Sequence, residues 1–460
     1  MTDAVPLARA LARFVLNLGP GTIPAPVEEK ARACLLNGYG IALGCHATPY
    51  APVARAAAVA MDGERGEGAT LWGDGRRVGV AAAALANGAL CHGRGQEDTC
   101  GAAHLGAVLI PLLTGLFESR RLPMDRFIPS LVAGYEAGGL FEKAHARHTT
   151  PAGLRASPLY GTIAAAAAAS KALGLDEGRT AAALSNAAHI AGGILQSFAD
   201  GTDEWRYQVG LAAANGLMAA ELARHGSVSA PHAFEGPAGY IRAFARVQPD
   251  VPALLARLGT DWATLRVTFK PFPVCAFNQT PVTATLALRE RIAGRPIAGV
   301  TVRMNPYEVG YAGMDSKGPF STVSGTLMSI PFCIAATLLR GTPTMGIMAT
   351  YDDAAINALM ERVTVIADEG VPTLCAVISA TLSDGTEIVQ DQRMTTDDYA
   401  YDRAGVSALV RRIGAEEGVP AAAYDRIEAF VGALPDASIA DAVDAFALLP
   451  RREPVRVAAE

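Results

Sequence analysis

The sequence predicts a mainly α-helical fold: a large all-helical domain formed by N- and C-terminal segments, with a smaller α+β domain inserted between them. Three observations predict it. Alanine-rich amphipathic runs, punctuated by Pro or Gly as helix stops should be, fill roughly the first 250 residues. Past about residue 260 the apolar residues alternate in period two and an Asp-Gly turn appears. From about 404 to 447 helical periodicity returns. The helical domain is accordingly placed at 1–264 with 401–460 returning to it, and the α+β lid domain at 265–400. A cleft between two such units is the default place for a ligand.

Taken in order, helices are expected at about 6–18, 27–43, 51–61, 80–91, 106–119, 125–144, 159–173, 176–196, 207–224 and 237–245. Alanine at this density lets helix axes approach closely, so a compact multilayer bundle is expected. No fixed-period repeat argues for a solenoid. Beyond Pro281 one more helix runs to about 293. Val300, Val302 and Met304 then alternate within 299–305, the mark of a strand. A helix at 329–339 follows, then strands at 363–366, 376–382 and 387–390, the last two joined as a hairpin through Asp384-Gly385.

Composition narrows the function classes. At 460 residues and 50% hydrophobic, the chain can bury a large core over two or three domains. A formal charge of -6 and a pI near 5.8, with no run of Lys or Arg, give no electrostatic footprint for nucleic acid. The longest apolar stretches, such as 161–170, are alanine and fall short of the roughly 20 apolar residues a bilayer span needs. Met1-Thr2-Asp3-Ala4 lacks a basic start and an apolar run, so export is not expected and the cytoplasm is the default. Cys34, Cys45, Cys91, Cys100, Cys275, Cys333 and Cys375 form no C-x-x-C pair, which fits neither a disulfide framework nor a zinc site. His145 and His148 form a pair without further ligands at metal spacing, and no metal is expected.

The stretch 269–281 carries the strongest chemical signal. Pro271 and Pro273 restrict the backbone, and burial of Phe269 and Phe272 draws the Lys270 ammonium inward, where it needs an anionic partner; a substrate carboxylate would serve. A second polar cluster spans 91–104 between two apolar helices. His104 stands at a helix N-terminus, whose dipole favours neutral imidazole and hence acid-base work. The structural alternative is a capping loop, with Asp98 or Thr99 as cap. Arg155, in a turn marked by Pro and Gly, can clamp a carboxylate or sit at the surface as a helix-start arginine. The polar and aromatic stretch 199–208 contains Trp205, Arg206, Tyr207 and Gln208. Cys275 has no histidine near it in sequence, so nothing there activates a thiolate. Tyr307 and Tyr311 follow the strand ending at Asn305 and face the loop side of a cleft.

The loop ending in His104, the helix pair after it, Phe234-Glu235-Gly236, Phe269-Lys270-Pro271-Phe272-Pro273 and Ser329-Ile330-Pro331-Phe332 together resemble the MmgE/PrpD family over nearly the whole chain. Members of that family include 2-methylcitrate dehydratase, cis-aconitate decarboxylase and iminodisuccinate epimerase. The resemblance implies a homodimer without a cofactor, and a site between the domains that binds small di- or tricarboxylates. The family's lysine falls on Lys270, its helix-start histidine on His104, and its acid-Asp-Thr run on Glu97, Asp98 and Thr99. Gly95, Arg155, Trp205 and Gln208 stand where the family pattern has an aspartate, a histidine, a lysine and a histidine, and Arg206 keeps a positive charge beside Trp205. The implied activity is a lyase or isomerase working through a carbanion beside a carboxylate, with dehydration first and epimerisation or decarboxylation as alternatives. A non-catalytic binding protein is the reading from another class. His104, Lys270, Asp98 and Tyr307 are the catalytic candidates. Thr99, Glu97, Arg155, Arg206, Gln208 and Cys275 are the substrate-binding ones.

Overall fold

A computed structural model describes residues 5–450; the four N-terminal residues read above for a leader lie outside the described residues. The first part of the chain is built on α1 (Leu7–Asn17), α2 (Ala25–Gly44), α3 (Tyr50–Asp62), α4 (Val80–Cys91), α5 (Leu105–Arg120), α6 (Phe127–Thr149), α7 (Ala156–Leu173), α8 (Glu177–Ile190), α9 (Gln196–Asp200), α10 (Glu204–Arg224) and α11 (Val251–Leu255). Between α3 and α4, strands β1 (Ala69–Thr70) and β2 (Arg77–Val78) form a small ribbon. Strand β3 (Thr99–Cys100), just before α5, pairs antiparallel with β4 (Val267–Thr268).

Small residues decide how these helices layer. The six alanines at 164–169 of α7 are all fully buried. A Cβ on Gly210 of α10 would lie 2.6 Å from Leu85 Cα of α4, and one on Gly216 would lie 2.3 Å from Ala165 Cβ and 2.7 Å from the Ala166 nitrogen of α7. Helix α10 therefore lies almost backbone to backbone against both neighbours, and larger residues at these points would push the layers apart.

The remaining chain begins with α12 (Gln279–Ile292), β5 (Ile297–Met304), α13 (Pro306–Val309), α14 (Val323–Met328), α15 (Ile330–Arg340), α16 (Met345–Met348) and α17 (Ala354–Met360). Strands β6 (Val363–Ala367), β7 (Cys375–Leu382) and β8 (Glu387–Arg393) complete a sheet of order β6-β5-β7-β8, parallel only between β5 and β6. The expected β7–β8 hairpin turns through Asp384-Gly385, where Gly385 has φ +85°. The chain then returns as α18 (Arg403–Glu417), α19 (Ala421–Ala433) and α20 (Ile439–Ala445). Val410 and Ile413 of α18 pack where Gly40 and Gly44 leave room on α2.

One apolar core runs from Leu7 to Phe269 and resumes over Val406 to Leu449. A second, under the sheet, also draws in Leu195, Phe198 and Trp205 from around α9 and α10. The expected fold class, mainly α with an α+β part, is the one observed. No described helix is long and apolar enough to cross a membrane.

Two expected helices differ. The one at 176–196 stops at Ile190: Ala191 is extended, and Gly193, with φ +148°, lies so near Pro158 that a Cβ would stand 2.3 Å from it. Residues 191–195 instead bridge back to Leu154 through Ile194. The one at 237–245 reduces to a five-residue π-helix, Ile241–Ala245. Strands β1 to β4 are too short to show alternation, so the sequence pattern does not reveal them.

Gly216→Ala is expected to destabilise by about 1–3 kcal/mol, because its neighbours on α7 are the Ala165 Cβ and the Ala166 and Thr162 backbone, none of which can swing aside. Gly432→Ala, on an exposed helical position with nothing within 4 Å, is expected to stabilise by about 0.5–1 kcal/mol. Urea unfolding of the two variants measures both; equal effects would refute the close α7–α10 crossing.

Candidate active site

The loop after α4 is held in place from several sides before any ligand is considered. Gly95 has φ +63° and Gly101 has φ +61°, values that side chains with a Cβ rarely adopt. A Cβ on Gly101 would lie 2.1 Å from the Glu142 carboxylate of α6, which accepts the Ala102 N–H at 2.8 Å. Earlier on α6, Glu136 accepts the N–H groups of Ala263 and Thr264, both at 2.9 Å, and the Thr264 hydroxyl at 2.7 Å. Helix α6 thus anchors both the loop that precedes His104 and the turn that leads into β4 and Lys270. The β3–β4 pairing then sets Thr99 opposite Thr268, with their hydroxyls 2.7 Å apart.

This framework brings three nitrogen groups onto one carboxylate oxygen. Glu97 Oε1 lies 3.2 Å from Lys270 Nζ, 2.9 Å from His104 Nδ1 and 3.0 Å from His92 Nδ1. Lys270 also donates to the Gly95 carbonyl. Glu97 and Lys270 are 1% and 4% exposed, so each depends on the other for its charge. The anionic partner expected from a substrate is therefore supplied by the protein itself. Burial opposes the Glu97 charge, yet His92, Lys270 and His104 together hold its carboxyl well below the usual range.

The same contacts fix the histidine tautomers. His104 Nδ1 faces two acceptors, Glu97 and the Asp98 carbonyl at 3.1 Å, so it carries the proton and Nε2 keeps the lone pair. Burial first, and then the Lys270 charge, lower the His104 pKa and keep the ring neutral. His92 Nε2 accepts from Arg155 Nη2 at 2.6 Å, which leaves its N–H on Nδ1, toward Glu97. Burial depresses the His92 pKa strongly.

A cleft of about 510 Å³, counting the open space at its mouth, has two unlike walls. His92, Glu97, Thr99, His104 and Lys270 form the polar one. Phe198, Trp205, Phe277, Leu327 and Met328 form the apolar one, with Cys275 and Tyr311 between. Burial pushes the Cys275 thiol up to about 11, so it presents a thiol rather than a thiolate.

Five of the expected site residues do not line this cleft. Arg155 is caged behind the apolar wall: it donates to the Trp205 carbonyl and to Gln208 Oε1 at 3.1 Å, and lies 5.3 Å and 5.7 Å from the Phe198 and Trp205 rings. Gln208 is spent on Arg155 and on the Ile194 carbonyl. Arg206 is sandwiched between Tyr50 and Trp205 at 3.7 Å and 3.9 Å, and bonds Asp203, Ser324 and the Gly93 carbonyl. Tyr307 stands behind Phe277, edge-on to its ring, while Tyr311 reaches the cleft. Asp98 turns the opposite way from Glu97: it accepts the Gly106 N–H at 3.1 Å at the start of α5, and the Tyr135 hydroxyl. The capping reading of the loop therefore fits Asp98. His92 is the residue that sequence reasoning missed; its signal was a histidine between the end of α4 and two closely spaced glycines.

Burial, reinforced by nearby Glu97, pushes the Asp98 carboxyl up to about 7. A folded pKa above the unfolded value means that Asp98 contributes stability at low pH and loses it as pH rises from about 4 toward about 7. Asp98→Asn keeps both hydrogen-bonding positions filled, so between pH 4 and pH 8 its unfolding free energy should gain on that of the native protein. Asp98→Ala strands two buried groups and should cost about 2 kcal/mol or more. Equal losses in both variants, measured by urea unfolding at the two pH values, would refute the capping role.

Comparison with known proteins agrees with this architecture. The MmgE/PrpD N-terminal domain matches residues 9–251, and the MmgE/PrpD C-terminal domain matches residues 272–404. The cis-aconitate decarboxylase-like protein oryM of Aspergillus oryzae is 28% identical over 396 residues, covering 80% of this chain and 81% of that protein. Cis-aconitate decarboxylase of Aspergillus terreus is 24% identical over 75% of this chain and 74% of its own length. The human cis-aconitate decarboxylase is 30% identical over 48% of this chain and 47% of its own. With its N-terminal match spanning more than half of the sequence, this chain belongs to the MmgE/PrpD family.

Proposed function

We propose that the protein is a lyase that moves a proton at the carbon beside a substrate carboxylate, with His104 Nε2 as the base and the Lys270 ammonium supporting the charge that develops. The single observation that carries this reading is Glu97 Oε1, which holds the lysine and the histidine side by side at 3.2 Å and 2.9 Å on the polar wall of one cleft. A neutral imidazole with its proton fixed on Nδ1 offers a lone pair at Nε2, as proton abstraction requires. The electron pair left on carbon delocalises into the carboxylate, where a fixed cation stabilises it. Expulsion of a β-hydroxyl then forms the double bond, and the proton returned from Nε2 releases the hydroxyl as water.

Decarboxylation is the second reading, supported by the names that the relatives carry. There the carbon–carboxylate bond breaks first, and the pair left on carbon must take a proton from an imidazolium. The two readings demand opposite protonation states of His104, so pH separates them. Abstraction predicts that kcat/KM rises with pH through a pKa below the ordinary histidine value of 6.5 and then stays level. A kcat/KM that falls across the same limb would favour decarboxylation.

His104→Ala is expected to lower kcat by about 10²–10⁴ with little change in binding. Proton NMR of α-deuterium uptake in heavy water, run over a panel of carboxylates, measures this whichever of them is the substrate. Wild-type rates of uptake in the His104 variant would remove it from the mechanism.

A further inference from the structure

The charges around the cleft do not balance in the way a polyanionic ligand would need. Among the described residues of the polar wall, Lys270 is the one cation, and Glu97 already shares it at 3.2 Å. Both histidines there are held neutral, by burial first. Arg155 is 2% exposed, and it lies behind the rings of Phe198 and Trp205, whose centroids are 5.3 Å apart. Arg206 lies beyond Trp205 and is paired with Asp203 at 3.0 Å. One anionic group can therefore approach Lys270 and His104. A second would face Phe198, Phe277, Leu327 and Met328 with no cation among the described lining residues, and burying an unpaired charge is strongly unfavourable. The apolar wall instead offers edge and face contacts: Tyr311 stands edge-on to Phe277 at 5.2 Å, and Trp205 edge-on to His92 at 4.6 Å.

From this arrangement we infer that the substrate class is a monocarboxylate bearing an apolar or aromatic substituent, with the carboxylate at Lys270 and the substituent against Trp205, Phe198 and Leu327. The inference rests on the proposed reading of the cleft as the substrate site and replaces the di- or tricarboxylate that family resemblance implies. Trp205 acts here as a specificity residue: its ring is both a surface for the substituent and a cover over Arg155. For a β-hydroxy acid of this class the reaction balances as loss of one water to give the α,β-unsaturated acid.

Calorimetric titration of the full chain with 3-hydroxy-3-phenylpropanoate and with tricarballylate, at matched ionic strength, tests the assignment. The aryl monocarboxylate is expected to bind at least tenfold more tightly. Trp205→Ala should weaken it at least tenfold while strengthening tricarballylate, because Arg155 and Arg206 both lose the ring that covers them; Trp205→Phe should preserve the native order and serves if the alanine variant does not fold. Tighter or equal binding of tricarballylate by the native protein would overturn the proposal, as would failure of both acids to bind. Deuterium uptake keeps the two readings apart. Aryl-acid binding in the expected order without His104-dependent exchange would leave this substrate class standing and remove the lyase reading. Exchange confined to tricarboxylates would do the reverse.

Discussion

A single buried carboxylate oxygen organises the polar half of this molecule. Glu97 Oε1 has an ammonium and two imidazole Nδ1 atoms within 3.2 Å, the histidines from its own loop and Lys270 from 173 residues further along the chain. Neither charge could remain in the interior alone, since breaking a buried pair from one side typically costs about 3–5 kcal/mol. The surrounding construction follows from that need. Glu142 and Glu136 of α6 pin the backbone on both sides, the β3–β4 ribbon sets the register between them, and Gly95 and Gly101 supply the left-handed turns that let the loop double back. Glu97 therefore both supports the site and limits it, because it occupies much of the attraction that Lys270 offers an incoming anion.

What the sequence revealed and what it concealed divide along physical lines. Helices whose periodicity runs for ten or more residues were legible, as was the Asp384-Gly385 hairpin, because both are local properties. His104 at a helix start and Lys270 between buried phenylalanines were legible for the same reason. The direction of adjacent side chains was not. Glu97 and Asp98 look equivalent in sequence, yet one faces the cleft and the other the first turn of α5, where Gly106 leaves just enough room for its carboxyl. The arginines misled for a related reason: a cation flanked by turns signals a fixed position, not an accessible one, and aromatic rings from distant segments decide whether a ligand can reach it.

The aromatic wall also changes what Arg155 can do. Its guanidinium donates to His92 Nε2, and His92 Nδ1 stands 3.0 Å from Glu97 Oε1, so a positive charge set behind the wall still acts on the site through one hydrogen bond and the close contact beyond it. That chain orients His92 and keeps its lone pair engaged, which removes it from acid-base competition with His104. Among the described residues of the cleft one imidazole lone pair is left free to act, and the geometry names it: Nε2 of His104.

The protonation state of that nitrogen is what separates the two proposed reactions. Burial together with the fields of Lys270 and Arg155 disfavours the imidazolium. A carboxylate bound beside Lys270 as proposed would add a negative charge and weaken one of those fields, which would raise the His104 pKa. An abstraction mechanism is helped by this shift, because a stronger base meets the α-proton only once substrate is in place. For decarboxylation the same shift is a precondition, since without it no proton waits at Nε2 for the carbanion. On the proposed reading, elimination would start from the neutral imidazole that this site favours, whereas decarboxylation would need the ligand to protonate it first.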